Sequence, residues 1–95
     1  MYAYPNPASD FCYIVWEYET DGEVDIEVTI RTVTGRTIWR NRSQGSGPYQ
    51  EIRWDCTDLA GDRVANGTYI AIVKAESPDD PGLKTSDKII IVVMR

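Results

Sequence analysis

The chain has no histidine, two cysteines, one phenylalanine and two methionines among its 95 residues, and each scarcity closes off a class of function. Without histidine the commonest general base is missing, so acid–base chemistry would fall to carboxylates. Cys12 and Cys56 can build neither a disulfide framework nor a four-ligand zinc site. Two buried free thiols are the expectation, and a single bridge is the alternative. The longest unbroken apolar run, Ile89 to Met94, falls far short of the ~20 residues a membrane-spanning helix needs. The opening MYAYPNP has neither a basic start nor an apolar stretch. It is therefore not a cleavable export signal, and any such signal is expected elsewhere. Bases are in the minority, with ten Lys plus Arg against fifteen Asp plus Glu and a net charge of −5. That balance argues against non-specific binding to nucleic acid, whose phosphates need a basic face.

Helical periodicity is also missing. No stretch repeats apolar residues at three-and-four spacing, and glycine or proline punctuates the chain at short intervals. A period of two is present instead. Val24, Ile26, Val28 and Ile30 alternate with Asp25, Glu27, Thr29 and Arg31, as a strand with one buried face requires. Cys12, Ile14, Trp16 and Tyr18 alternate before it, and Thr-Asp-Gly at 20–22 supplies turn residues to join the two as a hairpin. Gly35, within Thr-Gly-Arg at 34–36, offers a positive φ for a second turn into Thr37–Arg40, which completes a three-strand meander.

Residues 43–48, SQGSGP, read as a flexible connection, and Ile52 with Trp54 mark a short fourth strand. Asn66-Gly67 is a strong hairpin signal. Tyr69, Ala71, Val73 and Ala75 then face inward along one strand. SPDDPGLKTS at 77–86 reads as an exposed loop, and the last strand runs from Lys88 to about Met94. With Ile89 to Val93 apolar on both faces, that strand is expected to be central or covered by a neighbour. The fold class is all-β, an immunoglobulin-like antiparallel β-sandwich of six or seven strands forming a single domain over 1–95. Trp16, Trp54, Ile26, Val28, Tyr69 and Val73 are its expected core.

Charge is segregated along the chain. Residues 17–27 hold six acids and no base, whereas 31–42 hold four arginines and no acid. Cross-strand pairing on a solvated sheet face explains this with no docking patch. Asp55 and Asp58 are candidates for a catalytic pair, and Asp55, Asp58 and Asp62 for calcium ligands. Their place in turns points to capping of local amides, and the spacing is not that of an EF-hand. No enzyme activity, metal or cofactor is expected. Trp39, Tyr2, Tyr4 and Tyr49 remain as candidates for stacking on sugar rings. Asn41-Arg42-Ser43 and Asn66-Gly67-Thr68 match the glycosylation acceptor pattern, which matters only in a eukaryotic secretory route.

Several short motifs occur in a telling order. Tyr-Pro-Asn-Pro at 4–7 precedes the first strong strand, VTIRTVTGRTI at 28–38 places Gly35 and Arg36 in a turn, and Trp54-Asp55 with Gly61 leads to Asn66-Gly67-Thr68-Tyr69. KTSDKIIIVV closes the chain. This order resembles the C-terminal sorting domains of proteins exported by the bacterial type IX secretion system, and equally the immunoglobulin-like domain related to that of the flagellar hook-capping protein. The resemblance covers nearly the whole chain. It implies a C-terminal module of a larger exported protein, acting as a secretion and sorting signal. Its implied partners are an outer-membrane translocon, a sortase-like peptidase and an upstream passenger domain, with no nucleic acid and no transmembrane segment. Its implied location is extracellular or at the cell surface.

The expected recognition edge is Lys88, Ile89, Ile90, Ile91, Val92 and Val93. Pro5, Asn6, Pro7, Gly35, Arg36, Gly67 and Tyr69 stand on family motif positions that are mostly structural. The chain departs from the pattern at Cys56, where the family usually has glycine, and at 77–87, which lengthens a normally short hairpin. The alternative reading is an immunoglobulin-like accessory or spacer module of an extracellular enzyme, with weak carbohydrate or protein binding.

Overall fold

Inward-facing Val24, Ile26, Val28 and Ile30 need a second apolar layer, and the computed structural model supplies one. It describes residues 1–18, 22–46, 49–78 and 80–95, with only the backbone of 80–83. Seven strands follow in order: β1 (Tyr2–Tyr4), β2 (Cys12–Glu17), β3 (Glu23–Thr32), β4 (Thr37–Ser46), β5 (Tyr49–Trp54), β6 (Gly67–Ser77) and β7 (Asp80–Val93). They form two antiparallel sheets, a three-stranded one ordered β1-β2-β5 and a four-stranded one ordered β4-β3-β6-β7. The expected sandwich is therefore present, and Trp16, Trp54, Ile26, Val28, Tyr69 and Val73 all lie in its core.

The connectivity corrects the expected meander. β2 pairs with β1 and β5, while β3 pairs with β4 and β6, so the two alternating segments are not a hairpin but belong to opposite sheets. Alternation reports that a strand buries one face; it does not report whether the next strand lies beside it or across the core. Of the turn residues proposed for that hairpin, Thr20 and Asp21 lie outside the described residues. The β3–β4 hairpin does form. Gly35 takes φ +97°, its amide donates to the Thr32 carbonyl, and the Thr32 amide donates to the Arg36 carbonyl.

Two expected loops are strand. β4 continues through Ser46, where Ser43, Gln44, Gly45 and Ser46 pair with Ile26, Asp25, Val24 and Glu23. Polar and glycine residues are weak strand formers, but β3 is a strong template and Gln44 donates to Asp25 Oδ1 at 2.9 Å. A Cβ on Gly45 would run into the Gln50 amide, which accounts for glycine at that point. Gly47 and Pro48 lie outside the described residues.

The segment expected as a loop at 77–86 belongs mostly to a long β6–β7 hairpin, so the last strand starts at Asp80 rather than Lys88. The register shifts after Glu76, pairing it with Lys84 and Ser77 with Asp80, so Pro81 falls in the irregularity, where no ladder amide is required. Asn66-Gly67 forms no hairpin. Gly67 begins β6, and the Asn66 side chain binds the backbone of Arg95 at both N and O.

Cross-strand ion pairs form on this sheet, and one of them joins the acidic run to the basic run. Arg42 on β4 meets Glu27 on β3 at 2.8 Å, and Lys84 on β7 meets Glu76 on β6 at 3.6 Å. These exposed pairs fix register more than they add stability.

Trp54 is wholly buried, donates from Nε1 to the Thr57 carbonyl, and meets the Tyr69 ring edge-on at 5.8 Å. Tyr69 in turn donates from its hydroxyl to the Ala65 carbonyl. Cys12 and Cys56 are free thiols in the same core. Cys56 takes a left-handed φ of +56° with its side chain buried, so this turn accommodates a side chain at a conformation that favours glycine.

β7 is an edge strand, which corrects the expectation of a central one, but its C-terminal part is covered. Asn6 donates from Nδ2 to the Ile90 carbonyl at 2.9 Å and accepts the Val92 amide on Oδ1 at 3.0 Å. Ala8 donates to the Val92 carbonyl and accepts the Met94 amide, forming a parallel bridge to Val93. The sequence therefore needs no further strand there, because a side-chain amide has the same donor and acceptor as a peptide group.

Three measurements check this account. Ile30, fully buried at the centre of the four-stranded sheet, should cost about 2–5 kcal/mol when changed to Ala. The urea midpoint should fall at unchanged slope, while Val33→Ala, at 66% exposure, should leave it within experimental error. Asn6→Ala orphans two β7 groups and should cost roughly 1–2 kcal/mol, with faster amide exchange at Val92.

Burial raises the Cys12 thiol from 9.0 to about 11, reinforced by Cys56. The folded state then holds a proton that the unfolded thiol gives up, so stability falls as pH climbs through the window from 9.0 to about 11. Cys12→Ala should flatten that fall relative to the parent chain in pH-dependent denaturation.

Candidate functional site

β7 places its residues by strand periodicity. Ile89, Ile91 and Val93 face the core, Ile91 and Val93 being fully buried, whereas Ile90 on the opposite face is 58% exposed. Apolar residues on both faces thus have two causes, one a core and the other an open sheet surface. The hydrogen bonds to Asn6 and Ala8 show that the main-chain groups of Ile90 and Val92 point away from β6. By the same alternation those of Lys84, Ser86 and Lys88 point outward too, since the pairing with β6 is unbroken from Lys84 to Val93.

This edge has two halves. From Ile90 onward the N-terminal segment occupies it. From Lys84 to Lys88 no described strand lies beside it, and the Lys88 amide is taken by the carboxylate of its own neighbour, Asp87, at 2.8 Å. Lys84 and Lys88 are exposed on the outer sheet face. Lysines flanking an edge deter indiscriminate strand pairing and favour a partner with acidic side chains.

The structure brings some of the expected site residues together and leaves others apart. Asn6, between Pro5 and Pro7, sits directly on the β7 edge, a role that sequence reasoning reduced to leading the chain into a strand. Gly67 and Tyr69 lie on β6 opposite Val93 and Ile91. Gly35 and Arg36 occupy the β3–β4 turn, with β6 between that hairpin and β7, so they lie away from the edge. Arg95, unremarked in the sequence, donates from Nη1 to the Val64 carbonyl at 2.6 Å and from Nη2 to the Cys56 carbonyl at 3.3 Å. It fastens the segment after β7 to the turns that follow β5.

Those turns use their aspartates locally. Asp58 Oδ1 accepts the amides of Ala60 and Asp62, and Asp55 binds Arg53 Nε at 2.6 Å. The two carboxylates thus engage separate groups, Asp58 capping an Asx-turn and Asp55 pairing with β5. Arg63, in the same stretch, reaches Asp10 at 2.9 Å.

Aromatic candidates divide between the sheets. Trp39 pairs with Ile30 on the four-stranded sheet and packs against the core, so it is removed from any common platform with the tyrosines. Tyr2, Tyr4 and Tyr49 lie on the outer face of the three-stranded sheet and are exposed. Tyr2 and Tyr4 stack with centroids 5.9 Å apart, and Tyr4 lies 5.3 Å from Tyr13, which the sequence did not single out.

Residues 2–92 match the family model described as the secretion system C-terminal sorting domain. No curated protein matches the chain. Among solved structures, dimeric latent PorU from Porphyromonas gingivalis superposes with a TM-score of 0.75 at 24% identity, over 98% of this chain and 9% of that one. PorZ, described as an essential bacterial surface component of the type-IX secretion system of Porphyromonas gingivalis, superposes with a TM-score of 0.57 at 28% identity, over 99% of this chain and 11% of its own. The chain therefore spans only a small part of the solved chains that share its fold. With the matched pattern running from Tyr2 to Val92 through every strand of the sandwich, the protein belongs to the family of secretion system C-terminal sorting domains.

Proposed function

We propose that this domain is the export address of a longer polypeptide handled by a type IX system, and that the translocon reads it at the open half of the β7 edge. The observation that carries the reading is the position of β7. It ends the four-stranded sheet, and among the described residues no strand lies beside the outward main-chain groups of Lys84, Ser86 and Lys88. Strand addition would take its affinity from those groups and its selectivity from Lys84 and Lys88. Asn6 and Ala8 limit the added strand to that half, because the groups beyond it are already bonded.

The upstream passenger is carried to the cell surface or the medium, where a sortase-like peptidase removes the domain or uses it for attachment. Nothing in this scheme asks the domain for chemistry. Its part is to hold an edge rigid, which a sandwich core does well: recognition then requires little ordering of the signal itself.

Fusion of the 95 residues to an inert reporter, in a host with type IX export, tests both levels. The reporter is expected at the surface or in the medium, and retention of the parent fusion inside the cell overturns the sorting role. Ser86→Pro removes one outward amide without touching the β6 ladder. Export should drop at least about tenfold, equivalent to one good main-chain contact, while the thermal midpoint stays near the parent's. Undiminished export of a folded Ser86→Pro fusion would eliminate the edge reading and leave the sorting role standing.

A further inference from the structure

The outer face of the three-stranded sheet has a composition that export through β7 does not explain. Residues of period two point outward there: Tyr2 and Tyr4 from β1, Tyr13, Val15 and Glu17 from β2, and Tyr49, Glu51 and Arg53 from β5. Register aligns them in rows, Tyr2 with Val15 and Glu51, Tyr4 with Tyr13 and Arg53, and Glu17 with Tyr49. Such a face is ordinarily polar in an antiparallel sandwich. Here four tyrosines occupy it, joined at one end by Phe11, whose ring meets Tyr13 edge-on at 5.5 Å and lies under the Arg53 guanidinium at 4.4 Å.

The rings form a continuous strip and are held in place. Tyr2, Tyr4 and Tyr13 follow one another at 5.9 and 5.3 Å, and the planes of each neighbouring pair differ by 29° and 33°. A hydrogen bond to Tyr2, followed by burial, raises the Tyr49 hydroxyl to about 12. The Tyr4 hydroxyl is raised as well, by burial first and then by Glu51. Yet Tyr2, Tyr4 and Tyr49 remain 49%, 43% and 52% exposed, while Val15 beneath them is 1% exposed. The one aliphatic side chain on the face is therefore covered, and what solvent meets is aromatic rings with hydroxyl, carboxylate and guanidinium groups around them.

We propose that this tyrosine strip binds a neutral hexopyranose chain, each sugar laying its apolar C–H face on a ring and turning its hydroxyls to Glu51, Arg53 and the tyrosine hydroxyls. Shape favours a sugar over a protein anchor. Hot-spot side chains of a protein partner sit in pockets, and two cavities among the described residues lie away from the ring strip. One is a groove of about 940 Å³ over the charged face of the four-stranded sheet, and the other is a small cavity of about 60 Å³ lined by Met1, Trp16 and Asp87.

Charge selects neutral sugars. Arg53 is the sole base among the outward residues of these strands, and Asp55 already pairs with it at 2.6 Å. Glu17 and Glu51 would repel a phosphorylated or carboxylated glycan. Tyrosine also suits the task because it offers area at little cost in rotamer freedom. The site is separate from the β7 edge, so its failure would leave the sorting role untouched.

Titration of the 95-residue chain with three probes tests the proposal: β-1,4-glucohexaose, β-1,3-glucohexaose and β-1,4-mannohexaose. Aromatic NMR shifts and tyrosine fluorescence are the readouts. At least one hexaose is expected to saturate, with a dissociation constant on the order of 0.1 mM and shifts confined to Tyr2, Tyr4, Tyr13, Tyr49 and Phe11. Tyr49→Ala and Tyr2→Ala should each weaken binding at least about fivefold, and Tyr49→Phe should retain the stacking and most of the affinity. Because both residues are half exposed, thermal midpoints near the parent's are expected to confirm that the variants fold.

The proposal is overturned if none of the three hexaoses shifts these rings, or if binding survives both alanine variants in folded protein. It is equally overturned if a proline-rich peptide or self-association shifts the same rings while the hexaoses do not.

Discussion

A strand at the end of a sheet leaves a row of amides and carbonyls without partners, and the way β7 meets this constraint organises the domain. Its far half is closed by Asn6 and Ala8, which ties the beginning of the chain to its final strand. Just beyond, Arg95 and Asn66 fasten the chain to the turns after β5. Because these contacts link the N-terminal segment, β7 and the turns that close over Trp54, the two sheets are held together at one end by hydrogen bonds as well as by the core. Along the near half of β7 no described strand lies beside the edge.

The core explains why that edge can be presented in a fixed position. Inward residues of β3 and β6 pair across one sheet, Val28 with Val73 and Ile30 with Ala71, and the face they make is roofed by Ile14, Trp16 and Trp54 from the other. Trp54 does more than fill space. Its indole N–H holds the Thr57 carbonyl and its ring meets Tyr69, whose hydroxyl holds the Ala65 carbonyl, so the turns between β5 and β6 are anchored at both ends. The aspartates in that stretch then serve the turns. In this acid-rich loop the Asp58 carboxylate receives two local amides and that of Asp55 an arginine.

The two sheets differ in what they show to solvent. The four-stranded sheet is charged on its outer face, with acids of β3 opposite bases of β4 and β6 opposite β7. The three-stranded sheet is aromatic on its outer face. The two faces therefore offer different chemistry, charge on one and aromatic rings on the other.

Much of this was legible in the chain itself. The period of two in VDIEVTI determined a strand with a buried face, Gly35 determined the β3–β4 turn, and the lack of helical spacing determined the fold class. These are local properties, governed by backbone sterics and by which side chains avoid water. Tertiary structure decided what neighbours what. Only the packed chain placed β2 across the core from β3 instead of beside it, because alternation is the same for either partner. Only the long template of β3 and β6 drew SQGS and most of the Pro- and Gly-rich segment into strands, against their weak propensity. And only the folded chain brought Asn6 to Ile90 and gathered Tyr2, Tyr4, Tyr13 and Tyr49 from three strands, since contacts between residues far apart in sequence leave no periodic trace in it.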